Sequence, residues 1–161
     1  MIDLTQFLQL FNQYPGSHYM QITKEPDDIT KKLYDLLDAN GKFSLVIYGE
    51  ETNLQNFENA NIKYVKNLDE PFRALPRSND VIILKDIFSS HKNQDILLKT
   101  AYSSLANTAN IIIMEKLNIL DIEKTKQKLE KFEFRASNNI DIVDGYDLII
   151  AKKMHMWGNG L

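Results

Sequence analysis

Four short, unbroken apolar runs constrain this chain more than any other feature: Leu45-Val46-Ile47-Tyr48, Val81-Ile82-Ile83-Leu84, Ile111-Ile112-Ile113-Met114 and Leu148-Ile149-Ile150-Ala151. A strand with one wet face alternates apolar and polar residues, because successive side chains point to opposite sides of the sheet. These runs have no wet face. Each reads as a strand buried on both sides, the kind found in parallel sheets covered by helices. A further strand is expected at Ile62-Lys63-Tyr64-Val65.

Helical spacing fills the gaps. Ile96, Leu97, Thr100, Ser104 and Leu105 mark one helix between the second and third runs, and Ile122, Leu129 and Phe132 mark another after the third. Two more are expected in an N-terminal helical segment, 1–41. Leu4, Phe7, Leu8 and Phe11 fall on one face, with Asp3 as N-cap and Tyr14-Pro15-Gly16-Ser17 as the stop. Ile29, Leu33, Leu36 and Leu37 follow Pro26, with Asp27 and Asp28 at the positive end of the helix dipole and Asn40-Gly41 at the other end. Between these helices, His18 to Ile22 alternates weakly and is compatible with an extended stretch. Near the C-terminus, Asp144-Gly145 separates two extended runs, 134–143 and 146–152. That pair predicts a type I′ turn and an antiparallel hairpin. The expectation is one α/β domain over 1–161 with a tail at 154–161.

Composition narrows the function classes. The net charge of -3 gives no strong nucleic-acid signal, and Lys124, Lys126, Lys128 and Lys131 alternate with Glu123 and Glu130 as a solvated helix face does. With no cysteine there are no disulfides, thiolate metal sites or cysteine nucleophiles. No apolar stretch reaches the ~20 residues of a membrane helix, and no signal peptide opens the sequence, so a cytoplasmic location is expected. Glycine is scarce: six in 161 residues, about half the usual share of roughly 7 %.

Asp95 to Leu105 followed by Ala109-Asn110-Ile111-Ile112-Ile113-Met114-Glu115 resembles the helix and fifth strand of class I S-adenosylmethionine-dependent methyltransferases. Asp69 to Leu84, with Leu75-Pro76 and Asn79-Asp80, resembles the approach to that family's fourth strand. Phe134 to Lys153 resembles its closing hairpin. The resemblance spans about 30–153 and implies a Rossmann-like, mostly parallel sheet with helices on both faces, N-terminal helices and a C-terminal antiparallel β-hairpin.

The resemblance also implies S-adenosylmethionine as cofactor, held by a glycine-rich turn after the first strand, by an acid on the ribose at the end of the second, and by an acid on the adenine amine. If the 45–48 run is the first strand, Gly49 is the one surviving turn glycine and Glu50 and Asn53 lie near the cofactor's polar groups. Only 32 residues then separate Tyr48 from Val81, room for one βα unit where the family has two, so one strand is missing. Asp69 resembles the adenine acid. The turn before the fifth strand, usually Pro-Gly-Gly, is Ala106-Asn107-Thr108-Ala109-Asn110.

Each candidate has a structural alternative. Gly49 and Glu50 also suit an ordinary strand-to-helix turn, and Asp69 a surface aspartate before Pro71. Asp86, just past the fourth strand with Phe88 beside it, is the candidate catalytic carboxylate or else a loop cap. Glu50, Asp86 and Glu115 converge if the strands end together, a hard-cation arrangement. The histidines His18, His91 and His155 lack zinc spacing, so no metal site is expected, and His91 reads as an exposed loop residue. The tail, with Met154, Met156 and Trp157, either anchors a partner or extends the last strand. Two functions follow: a methyltransferase-like protein acting on a small-molecule or unknown substrate, or a catalytically inactive binding or assembly module acting through its tail or as a homodimer.

Overall fold

In the computed structural model, residues 3–10, 16–36, 41–50, 57 and 59–154 are described. The elements run α1 (Thr5–Leu8), β1 (His18–Thr23), α2 (Asp28–Leu36), β2 (Lys42–Tyr48), β3 (Asn61–Val65), β4 (Asn79–Lys85), α3 (Gln94–Ser104), β5 (Leu105–Lys116), α4 (Ile122–Lys131), β6 (Phe134–Ile140) and β7 (Tyr146–Lys153). Seven strands form one sheet in the order β3-β2-β1-β4-β5-β7-β6. The first five are parallel, and β7 joins antiparallel to both β5 and β6.

The four apolar runs lie in β2, β4, β5 and β7, as expected. Ile82, Ile83 and Leu84 of β4 are fully buried, and each contributes about 1.5–3 kcal/mol relative to an exposed side chain. Their alternation sorts two cores, one on each face. Ile82 and Leu84 pack with Leu97, Ala101 and Leu129 of α3 and α4, while Val81 and Ile83 pack with Ile29 and Leu33 of α2.

The N-terminal expectation needs correction. The weakly alternating stretch is the central strand, β1, bonded to β2 over 18–23 and to β4 over 19–22. The 45–48 run is therefore the second strand, and no parallel strand is missing. Sequence pattern hid β1 because Gln21 and Thr23 interrupt it. Both are buried all the same, and the Thr30 hydroxyl of α2 donates to Gln21 Oε1 at 2.5 Å. That bond satisfies the amide oxygen, while Gln21 Nε2 is buried without a partner among the described residues.

Two smaller expectations also change. The Asp3 carboxylate accepts from the Thr5 N–H (2.9 Å) and hydroxyl (2.7 Å), one residue from the expected helix start; Phe11 lies outside the described residues. At the hairpin only Gly145 takes a positive φ, 83°, and Tyr146 N–H donates to Val143 C=O at 3.2 Å. The turn is thus not type I′, which needs positive φ at both central residues. Strand pairing stops at Ile140 because Val143, 1 % exposed, is drawn into the α2-side core.

Candidate functional site

In an open parallel sheet, ligands bind beyond the carboxyl ends of the strands where the connections diverge to opposite sides. Here β2 and β3 lie on one side of β1, while β4 and β5 lie on the other. The divergence falls between the ends of β1 and β4.

A bridge of three charges closes that gap. Asp27 caps α2: its Oδ1 accepts from the N–H groups of Ile29 (3.0 Å) and Thr30 (3.2 Å), and its own N–H donates to the Thr30 hydroxyl (3.1 Å). Its Oδ2 accepts from the ammonium of Lys85, the last residue of β4, at 2.5 Å. The same ammonium lies 2.5 Å from Asp86 Oδ2 and 5.3 Å from the centre of the Tyr146 ring. Lys85 is only 2 % exposed, and a buried ammonium persists only when paired. Burial pulls its pKa down, but the hydrogen bonds it donates to Asp27 and Asp86 outweigh that and hold it above the usual lysine value. Asp86 takes φ 57°, a left-handed conformation uncommon outside glycine, asparagine and aspartate, and its N–H donates to Met114 C=O at 2.9 Å.

Beside the bridge stands Glu115, near the end of β5 and 3 % exposed. Its Oε1 accepts from the Ser89 hydroxyl at 2.6 Å, while its Oε2 is buried without a partner. Burial pushes its carboxyl above the ordinary range, and the hydrogen bond from Ser89 only partly offsets this.

These groups border two clefts. One, of about 680 Å³, lies between the ends of β1 and β2 and is lined by Glu25, Asp27, Lys31, Ile47, Gly49 and Glu50. The other, of about 500 Å³, lies past β4 and β5 and is lined by Thr23, Lys85, Asp86, Ser89, Glu115 and Tyr146.

The sequence candidates are therefore divided. Gly49 and Glu50 share the first cleft, while Asp86 and Glu115 share the second, so the three acids do not meet at one point. No group of three metal-ligating side chains occurs among the described residues. Asp69 is exposed on the connection after β3 and borders neither cleft. Asn53 and residues 155–161 lie outside the described residues. His91 is not an exposed loop residue: it is 4 % exposed. Its Nδ1 accepts from the Asn93 N–H (2.9 Å), so Nε2 carries the proton and donates to Glu70 C=O (3.0 Å), which also accepts from Tyr48 Oη (2.6 Å). That cluster ties the β3–β4 connection to the end of β2. Sequence reasoning assigned Asp27 only to the helix dipole and missed its partnership with Lys85, which depends on β1 lying beside β4.

Neither a protein-family model nor a curated protein matches the sequence. Solved structures do match in fold. An S-adenosylmethionine-dependent methyltransferase from Aquifex aeolicus superposes with TM-score 0.79 at 12 % identity, covering 95 % of this chain and 90 % of that one. A TehB-like methyltransferase from Corynebacterium glutamicum gives 0.70 at 8 % identity over 91 % and 84 %. Phosphoethanolamine N-methyltransferase 2 from Haemonchus contortus, solved with S-adenosyl-L-methionine, gives 0.70 at 9 % identity over 94 % of this chain and 52 % of its own length. The fold is that of the class I S-adenosylmethionine-dependent methyltransferases.

That fold implies a cofactor, and the turn after β1 is where the donor set tests it. With β1 assigned to 18–23, the turn is Lys24-Glu25-Pro26-Asp27, without glycine. Pro26 has no N–H. The N–H groups of Ile29 and Thr30 are taken by Asp27, and that of Gly49 donates to Val65 C=O at 2.9 Å. A ligand carboxylate approaching this helix terminus would meet the Asp27 carboxylate, with two of the terminus's N–H donors already taken. The methionine end of S-adenosylmethionine does not fit this turn.

Proposed function

We propose that this chain is a methyltransferase-fold protein that has given up S-adenosylmethionine-dependent methyl transfer and acts as a binding module. One observation carries the reading: Asp27 occupies the α2 terminus with one carboxylate oxygen and pairs with the buried Lys85 through the other. Opening that turn to a cofactor would strip a buried ammonium of one of its two partners. From sequence pattern the glycine-poor turn falls at Gly49; with β1 at 18–23 the turn is 24–27 and holds no glycine.

A second reading has its own support. The corrected strand order puts Gly49 and Glu50 just past β2, where the family resemblance expects the acid on the cofactor's ribose. On that reading Glu50 holds the ribose of S-adenosylmethionine or a related nucleoside in the larger cleft, and Asp86 faces the substrate.

Calorimetric titration separates the two. The binding-module reading expects no saturable heat from S-adenosylmethionine, S-adenosylhomocysteine or adenosine at millimolar concentration. Saturable adenosine binding lost in Glu50→Ala would favour the second reading. Saturable S-adenosylmethionine binding would overturn the first.

A further inference from the structure

We propose that the cleft past β4 and β5 binds a small primary amine as its ammonium ion, with Glu115 Oε2 as the accepting atom. Glu115 lines this cleft, is 3 % exposed, and leaves Oε2 buried with no donor, whereas its other oxygen is held by Ser89. Buried carboxylate oxygens are stable when they accept hydrogen bonds, so a donor supplied from the cleft completes an arrangement that the chain leaves open.

Charge selects the class of donor. The cleft is bordered by Lys24, Lys85 and Lys116 against Glu25, Asp27, Asp86 and Glu115, three positive groups against four negative. Lys85, the buried cation, is already committed to Asp27 and Asp86. The remaining buried charge is the Glu115 carboxylate, which favours a cation over a neutral alcohol or an anion. An ammonium group has three donors and no acceptor. Ser90 and Asp86 border the same cleft and offer further acceptors. A volume of about 500 Å³ suits a small molecule. A bare metal ion suits it less, because no three ligating side chains cluster among the described residues.

Binding would depend on pH. Around Glu115, burial and the Asp86 charge raise its pKa, whereas Ser89 and Lys24 lower it. Asp147 of β7 stands opposite it in register, but its Oδ2 accepts from the Asn118 N–H at 3.1 Å. Lys85, Lys116 and Tyr146 complete the surrounding charged and titratable groups. Affinity falls as pH drops through the raised Glu115 pKa, and falls again once the ligand loses its own proton.

The test uses the full chain, with propylamine and 1,4-diaminobutane as probes and 1-propanol as the neutral match, followed by NMR at neutral pH. Saturable binding of the amines, at least tenfold tighter than the alcohol and at least tenfold weaker in Glu115→Gln, is the expected result. Equal binding of amine and alcohol, no binding, or unchanged affinity in the variant overturns the proposal. Should Glu115→Gln fail to fold, the Glu115 carboxyl carbon is titrated in the unaltered protein. Added amine should lower its apparent pKa, and an unmoved titration curve overturns the proposal. The outcome is independent of S-adenosylmethionine binding.

Discussion

Lys85 Nζ lies 2.5 Å from Asp27 Oδ2, joining the last residue of β4 to the cap of α2 across the point where the sheet's connections diverge. Removing the cation leaves two carboxylates facing each other around a buried gap. Loss of one partner of a fully buried pair costs about 3–5 kcal/mol. Asp27 and Asp86 are 36 % and 28 % exposed, so water softens the effect, and Lys85→Met should cost about 2 kcal/mol. Urea denaturation reads it. Because the folded-state lysine pKa is raised, this stabilisation is complete below the unfolded value of about 10.4 and is lost only as pH rises through the folded value. The gap between variant and parent should therefore hold constant between about pH 6 and pH 9.

Glu115 is raised too, but there folding penalises the charged form instead of favouring it. A carboxyl whose pKa is raised by folding stabilises the protein fully below its unfolded pKa, and that contribution is lost as pH rises through the folded value. Replacing it with the neutral, similarly shaped glutamine keeps an acceptor for Ser89 and removes the buried charge. Glu115→Gln should raise the urea midpoint near neutral pH, and the advantage should disappear by about pH 4. A variant less stable than the parent at neutral pH would contradict the assignment of a penalised carboxylate.

Thr108 sits at φ 69° in the first part of β5, near the place where the family resemblance expects glycine. A β-branched residue in the left-handed region costs of order 1–3 kcal/mol. Glycine relieves this strain but loses more chain entropy on folding, roughly 0.5–1 kcal/mol. Thr108→Gly should stabilise the fold by about 1 kcal/mol, seen as a higher midpoint in urea or heat. A drop in midpoint would mean that the side chain contributes more than its backbone costs.

His91 should matter to stability more than an exposed histidine would. Its two ring nitrogens satisfy the Asn93 N–H and the Glu70 C=O, and Tyr48 donates to the same carbonyl. Tyr48→Phe leaves Glu70 C=O with one donor and should cost about 1 kcal/mol. His91→Ala orphans the Asn93 N–H, opens a cavity and should cost about 2–3 kcal/mol. Equal small effects in both variants would show that the cluster does not hold the β3–β4 connection.

Much of this fold was legible in the sequence because bulk apolar burial leaves a run that can be read directly. The residues of β4 and β5 needed no partner to announce them. The central strand was not legible in that way: Gln21 and Thr23 look polar in sequence, and their burial depends on α2, where Thr30 donates to Gln21. The hairpin was visible from Asp144-Gly145, but its turn was mistyped because Val143 is captured by the core. Looking past the apolar runs also singled out Asp86 and Glu115, which border the same cleft. The Asp27–Lys85 pairing was not legible, since it joins elements whose adjacency depends on a strand order that local pattern does not contain.

The central claim concerns the turn after β1, and amide-resolved NMR during addition of S-adenosylhomocysteine tests it most directly. With the Ile29 and Thr30 N–H groups of α2 taken by Asp27 and the gap to β4 bridged by Lys85, the signals of Lys24, Glu25, Asp27, Asp28 and Lys85 should stay in place at millimolar ligand. Saturable movement of those same signals would contradict the account, because it would mean that the turn opens to admit the cofactor.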